Sequence, residues 1–225
     1  MKILSLDTTE QACSAALLLD DELVERFEIA PRQHSRLLLP MVESLLAEAG
    51  LALAQLDALA FARGPGSFTG VRIATAVAQG LALGGDLPVA PVSSLLALAQ
   101  GAARESGAGQ VLALLDARMQ EVYVLACVRG EHGLMEPLGA ETVGPPAAVS
   151  LPGGGDWLLA GSGVAAYGEV LAHLGGTRLP EWQVHAADVA RLAVALVRRG
   201  ETVAAEAALP VYLRDQVAQK MTPLN

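Results

Sequence analysis

Lysine is almost missing from this chain: Lys2 and Lys220 are the only two in 225 residues. A polybasic membrane patch is therefore excluded. The net charge is −9, from 15 basic and 24 acidic residues. The chain as a whole lacks the positive field that non-specific nucleic-acid binding draws on, which leaves only indirect contact or a local arginine patch. Cysteine is equally scarce. Cys13 and Cys127 stand far apart, with no Cys-x-x-Cys, zinc ribbon or disulfide framework, so a reducing compartment is expected. The four histidines, His34, His132, His173 and His185, are scattered beyond helical reach of one another. There is no His-Glu-x-x-His and no Gly-x-Ser-x-Gly elbow, which argues against a zinc hydrolase and a serine hydrolase. Long apolar runs are lacking too. The longest uncharged stretch, 87–103, is broken by Pro88 and Pro91 and carries Ser93, Ser94, Gln100 and Gly101. It is not a membrane span, and the start of the chain meets Asp7 too soon for a signal-peptide core. A cytoplasmic protein is expected.

What the chain has is apolar bulk: 52% hydrophobic against 17% charged residues. That excludes disorder, and at this length a large core forms without staples. The chain also echoes itself. Residues 3–7 read as an apolar strand ending in Asp7; 12–19 pairs back on it, and Asp20-Asp21 turns into a third strand over 23–29. In the second half 111–116 ends in Asp116, 121–128 follows, and Arg129-Gly130 turns into a strand over 134–143. The two acids lie about half a chain apart, as an internal duplication places them.

After the first triplet the apolar spacing predicts a helix over 35–49, with Ser35 as N-cap and Gly50 as stop. A strand over 57–62, a loop over 63–70, a helix over 71–83, a short strand over 88–91 and a helix over 93–104 follow. The second half predicts a short helix at 147–151, a strand over 157–160, helices over 164–174 and 187–199, and a tail at 211–214. Triplets of strands followed by alternating helices and strands predict an α/β protein of two mixed-sheet halves, 1–106 and 107–225, with a cleft between them. The C-terminal tail is expected to fold back on the first half.

Three features could carry chemistry. The loop Gly64-Pro65-Gly66-Ser67-Phe68-Thr69-Gly70 lies between a strand and a helix, where backbone N–H groups can hold an anion. No lysine follows Gly70, so a tight turn permitting close backbone approach is the favoured reading. Asp7 and Asp116 could share a magnesium ion, yet neither following turn has the glycine that phosphate wrapping needs; acids satisfied by local N–H groups are favoured. Gly161-Ser162-Gly163, between a strand and a helix, is a weak nucleotide hint. The stripe Leu38, Met41, Val42, Leu45, Leu46 and Ala49, beside an alanine-rich helix, reads first as core.

Several runs in order resemble the bacterial TsaB family, also called YeaZ. They are Leu6-Asp7-Thr8-Thr9, His34-Ser35 with Leu37-Leu38-Leu39-Pro40, Arg63 to Arg72, Leu115 to Met119 with Glu121-Val122-Tyr123, and Tyr212-Leu213-Arg214. The resemblance implies a duplicated actin/Hsp70-like (ASKHA) fold and a role in making threonylcarbamoyladenosine beside the tRNA anticodon. The catalytic relative, TsaD, carries metal-binding histidines where this chain has Ser94 and Leu98, which are poor or no ligands. The resemblance thus implies a catalytically silent subunit with no metal and no cofactor of its own, a nucleotide at a subunit junction staying open. It implies pairing with TsaD and the TsaE ATPase, and a homodimer when alone. The pairing surface is expected on the first-domain helices, at Leu38, Met41, Leu45, Val71, Ala74 and Ala78. Asp7, Thr8, Gly64, Gly66, Ser67, Asp116 and Arg118 would line a vestigial cleft, and any tRNA contact is indirect or local. The alternative is an active actin-fold phosphotransferase or peptidase, against which stand the absent histidine pair and the glycine-free turns.

Overall fold

The structure, a computed structural model, describes residues 1–214; the end of the expected second half, 215–225, lies outside the described residues. The first sheet contains β1 (Lys2–Asp7), β2 (Ala12–Leu19), β3 (Glu22–Ile29), β4 (Ala58–Ala62) and β5 (Val89–Val92) in the order β3-β2-β1-β4-β5. The triplet is antiparallel, and β1, β4 and β5 run parallel. The second sheet repeats this plan. Its strands are β6 (Gln110–Arg118), β7 (Glu121–Arg129), β8 (Met135–Pro137), β9 (Thr142–Gly144), β10 (Trp157–Ala160) and β11 (Thr177–Leu179). Read from β8, the order is β8-β7-β6-β10-β11, with β9 also pairing β7. The duplication predicted from the two acid-ended triplets is thus present in the strand order.

Both faces of each central strand must be covered, and this explains why β1 and β4 read as unbroken apolar runs rather than alternating ones. On one face of the first sheet Leu4, Leu6, Leu59 and Phe61 meet α1 (His34–Ala49) and α2 (Phe68–Gly85), through Leu38, Val42, Leu45, Ala74, Ala78 and Ala82. The alanines of α2 let it lie close to the sheet. The other face is covered by a helix from the second half, α5 (Ala186–Arg199), which packs on β1, β2, β4 and β5. Reciprocally α3 (Ser94–Ser106), from the first half, packs on β6, β7, β8 and β10 and touches α5. One apolar core therefore runs from Ile3, Ala60 and Leu98 to Val111, Ala113 and Val189, across the 106/107 boundary.

Several predicted elements need correction. The first helix begins at His34 with Gln33 as its cap, so Ser35 lies inside it and caps nothing. The second begins a turn early, at Phe68, because the Ser67 hydroxyl accepts the Gly70 N–H. The single strand over 134–143 is two short strands, β8 and β9, because Pro137 has no N–H to continue a ladder and Gly139 turns the chain at φ 147°. The helix over 164–174 is α4 (Ser162–Tyr167), an interruption at Gly168, and a 3-10 turn at Val170–Leu174. The helix at 147–151 shrinks to a 3-10 turn at Pro146–Ala148. After α5, Val203 bridges Val89, Gln79 donates to the Ala208 carbonyl at 3.0 Å, and the Val211 N–H donates to the Arg63 carbonyl at 2.8 Å.

Candidate functional site

The turn after β1 and the glycine-rich loop after β4 are pressed together. Thr8 Oγ1 donates to the Gly70 carbonyl at 2.7 Å, and the Ser67 N–H donates to the Thr9 carbonyl at 2.7 Å. A Cβ on Gly66 would stand 2.5 Å from the Thr9 carbonyl oxygen, and one on Gly70 1.9 Å from that of Thr8. Glycine is required at both positions because backbone lies on backbone. Three of the loop's N–H groups are committed inward: that of Gly64 to Ser94 Oγ at 3.1 Å, that of Ser67 to Thr9, and that of Gly70 to Ser67. The loop packs closely on the turn after β1, backbone against backbone. Ser94 thus anchors this loop, and Leu98 lies in the core.

Asp7 is wholly buried. Its Oδ1 accepts from the Thr9 N–H at 3.2 Å and the Thr9 hydroxyl at 2.6 Å, whereas Oδ2 has no partner. Burial pushes its carboxyl up to about 7, against the lowering by Thr9. Glu10, three residues on, reaches across to Ser162 at the start of α4; burial also raises it to about 7, with the nearby Asp116 charge adding to the rise. Two carboxyls sensitive to neutral pH thus meet at the junction of the halves. Glu10 escaped the sequence reading because nothing along the chain places Ser162 beside it.

The second hairpin differs. Asp116 Oδ1 accepts from the Arg118 N–H at 2.8 Å and from the Tyr167 hydroxyl at 3.2 Å, and Oδ2 pairs with the Arg118 guanidinium at 2.9 Å. Its own N–H donates to Ser162 Oγ at 3.0 Å. Arg118, Met119 and Gln120 all adopt left-handed backbone, φ 61°, 54° and 62°, without a glycine among them. Each such residue costs roughly 1–2 kcal/mol. Arg214 bonds the Glu121 carboxylate and approaches the Arg118 carbonyl at 3.5 Å, tying the tail to this strained turn. The structure therefore brings Asp7, Thr8, Gly66 and Ser67 together, and Asp116 with Arg118. Among the described residues no three His, Cys, Asp or Glu side chains converge as a metal site.

Of the six expected pairing residues, Leu38, Leu45, Val71, Ala74 and Ala78 are buried within the chain, and only Met41 is half-exposed. The stripe is core, because these side chains face the chain's own sheet. The outward faces of α1 and α2 instead show Leu39, Pro40, Thr69, Ala76, Gly80 and Leu83, the last 78% exposed. At the N-terminal end of α2 the Arg72 guanidinium lies 3.2 Å over the Phe68 ring and 4.9 Å over that of Tyr212.

The comparisons follow this geometry. The family described as TsaD, tRNA N6-adenosine threonylcarbamoyltransferase, matches residues 27–221. The chain is 44% identical to the Escherichia coli tRNA threonylcarbamoyladenosine biosynthesis protein TsaB, covering 99% of each. It is 40% identical to the protein of that name from Haemophilus influenzae, covering 99% of this chain and 98% of that one. The solved structure of YeaZ from Pseudomonas aeruginosa superposes with a TM-score of 0.91 at 47% identity, covering 94% of this chain and 99% of that one. The fold is the duplicated actin/Hsp70-like α/β fold. No helix among the described residues is long and apolar enough to cross a membrane.

Proposed function

This chain belongs to the TsaB (YeaZ) family, and we propose that it serves tRNA threonylcarbamoyladenosine biosynthesis as a non-catalytic subunit. In this reading it pairs with a TsaD-type transferase through the outer faces of α1 and α2, and a TsaE-type ATPase joins the pair. The observation that supports the silent role is the packed turn: Gly66 lies on the Thr9 carbonyl and Gly70 on that of Thr8, and neither this turn nor the one after Asp116 has the glycine that phosphate wrapping needs. The pairing face is supported by Ala76 and Gly80, small exposed residues beside Leu83 that let a partner helix approach closely. A two-fold interface uses one patch on both copies, so the same face serves a homodimer of the chain alone.

Reconstitution tests this. Threonylcarbamoyl transfer to tRNA is expected only when this chain is added to the transferase and the ATPase. Transfer at full rate without it, or by this chain alone, overturns the reading.

A further inference from the structure

A second site adjoins the start of the loop, at Arg63. A cavity of about 470 Å³ opens between α3, α5 and the segment joining β7 to β9. Its walls are mainly apolar, with Leu96, Leu125, Leu134, Leu192 and Leu196, and His132 and the exposed Glu136 also line it. Its polar end is a trio. The Ser93 hydroxyl donates to Glu141 Oε1, and Arg63 Nη2 stands 3.5 Å from Glu141 Oε2. That separation is long for an arginine–carboxylate pair, which forms two short parallel bonds when its fork is filled. Among the described residues Arg63 makes no other ion pair, so no second carboxylate there fills its fork. Arg199, at the rim, is different, being held by Glu201 at 2.7 and 2.9 Å.

One cation and one anion side by side, at the end of an apolar chamber, select a head group with both charges. A ligand bringing only a carboxylate to Arg63 would set it against Glu141; one bringing only an ammonium would meet Arg63. We propose that this cavity binds an apolar α-amino acid, its carboxylate on Arg63, its ammonium on Glu141, and its side chain among Leu96, Leu125 and Leu192. Ser93, fixed as the cap of α3 by the Leu96 N–H at 3.1 Å, orients the Glu141 carboxylate. The chamber is roomy enough for the bulkier apolar side chains, within the usual range of small-molecule sites of roughly 300–1,000 Å³.

Calorimetric titration of the full chain with L-leucine tests the assignment. Binding is expected at about 0.1–1 mM, weakened about tenfold or more for glycine, 4-methylpentanoate and 3-methylbutylamine, which lack the side chain, the ammonium and the carboxylate. Arg63→Gln and Glu141→Gln, each checked for fold by circular dichroism, should lose about tenfold or more. Leu96→Trp fills the chamber from its wall and should abolish binding with the polar trio intact. No binding of leucine at about 10 mM overturns the proposal. Equal binding of 4-methylpentanoate or 3-methylbutylamine, or unchanged binding in folded Arg63→Gln or Leu96→Trp, does the same.

Discussion

Arg104 on α3 and Asp188 in the first turn of α5 join the two halves, Nε to Oδ1 at 3.2 Å and Nη2 to Oδ2 at 3.3 Å. Asp188 is wholly buried, and Arg191 adds a bond at 3.1 Å. Because α3 lies on the second sheet and α5 on the first, this pair sits where the swapped helices touch. Asp188→Ala strands two arginines at the junction and is expected to cost about 3 kcal/mol. Arg104→Ala leaves Arg191 in place and removes a partly solvated group, so about 1 kcal/mol is expected. Urea unfolding followed by circular dichroism measures both, and equal losses would show that the junction does not depend on the buried carboxylate.

Stability should fall with rising pH. Asp7 and Glu10 have folded values near 7, above their ordinary 3.8 and 4.5. In the folded chain they resist ionisation, so their contribution is fully present below about pH 4 and is lost as the pH climbs towards 7. For Asp7 the loss is at most roughly 4 kcal/mol. Asp7→Asn keeps an acceptor for Thr9 and cannot ionise, so its melting temperature should be flatter than wild type between pH 5 and 8. A slope unchanged in Asp7→Asn and in Glu10→Gln would place the pH dependence elsewhere.

Two glycines on one helix should respond oppositely. Gly70→Ala drives a methyl to 1.9 Å from the Thr8 carbonyl oxygen, whereas Gly80 has nothing within 4 Å. Gly70→Ala should lose at least about 3 kcal/mol, as over-packing against backbone does. Gly80→Ala should gain about 0.5–1 kcal/mol from helix propensity. Thermal melts of the two variants decide this.

The outer helix faces can be separated from the core by substitution. Leu38→Ala, in the core, should cost about 2–5 kcal/mol without a specific effect on pairing. Met41→Asp, half-exposed on α1, should stay folded and weaken pairing about a hundredfold, because the contact would bury an unpaired carboxylate. Ala76→Arg on α2 should act likewise by blocking close approach. Light scattering and pull-down with the transferase read association; folded variants that pair at wild-type strength would move the interface off these helices.

ATP should bind the isolated chain no more tightly than about 0.1 mM by calorimetry. The Gly64, Ser67 and Gly70 N–H groups are spent on Ser94, Thr9 and Ser67, and no lysine follows the loop in the sequence. Micromolar affinity with hydrolysis would favour the active phosphotransferase instead.

The sequence by itself determined the elements and their repetition. Apolar runs ending in Asp7 and Asp116, turns at Asp20-Asp21 and Arg129-Gly130, and the 3.6-residue spacing of Leu38, Val42 and Leu45 are local signals, and the strand order followed them. The close-packing role of Gly66 was likewise legible, since no lysine followed the loop. Only the tertiary structure decided which apolar stripe was core and which face was free: periodicity gives a side chain's direction on its helix, not what lies opposite. Leu38, Leu45 and Ala74, which spacing read first as core and the family resemblance placed at the pairing surface, line the first sheet. The exchange of α3 and α5 between sheets was hidden for the same reason, because a helix packs on whichever uncovered apolar face the chain can reach. Glu10 beside Ser162, and Arg63 beside Glu141, are pairs far apart in the chain, and only folding brings their charges into one low-dielectric space.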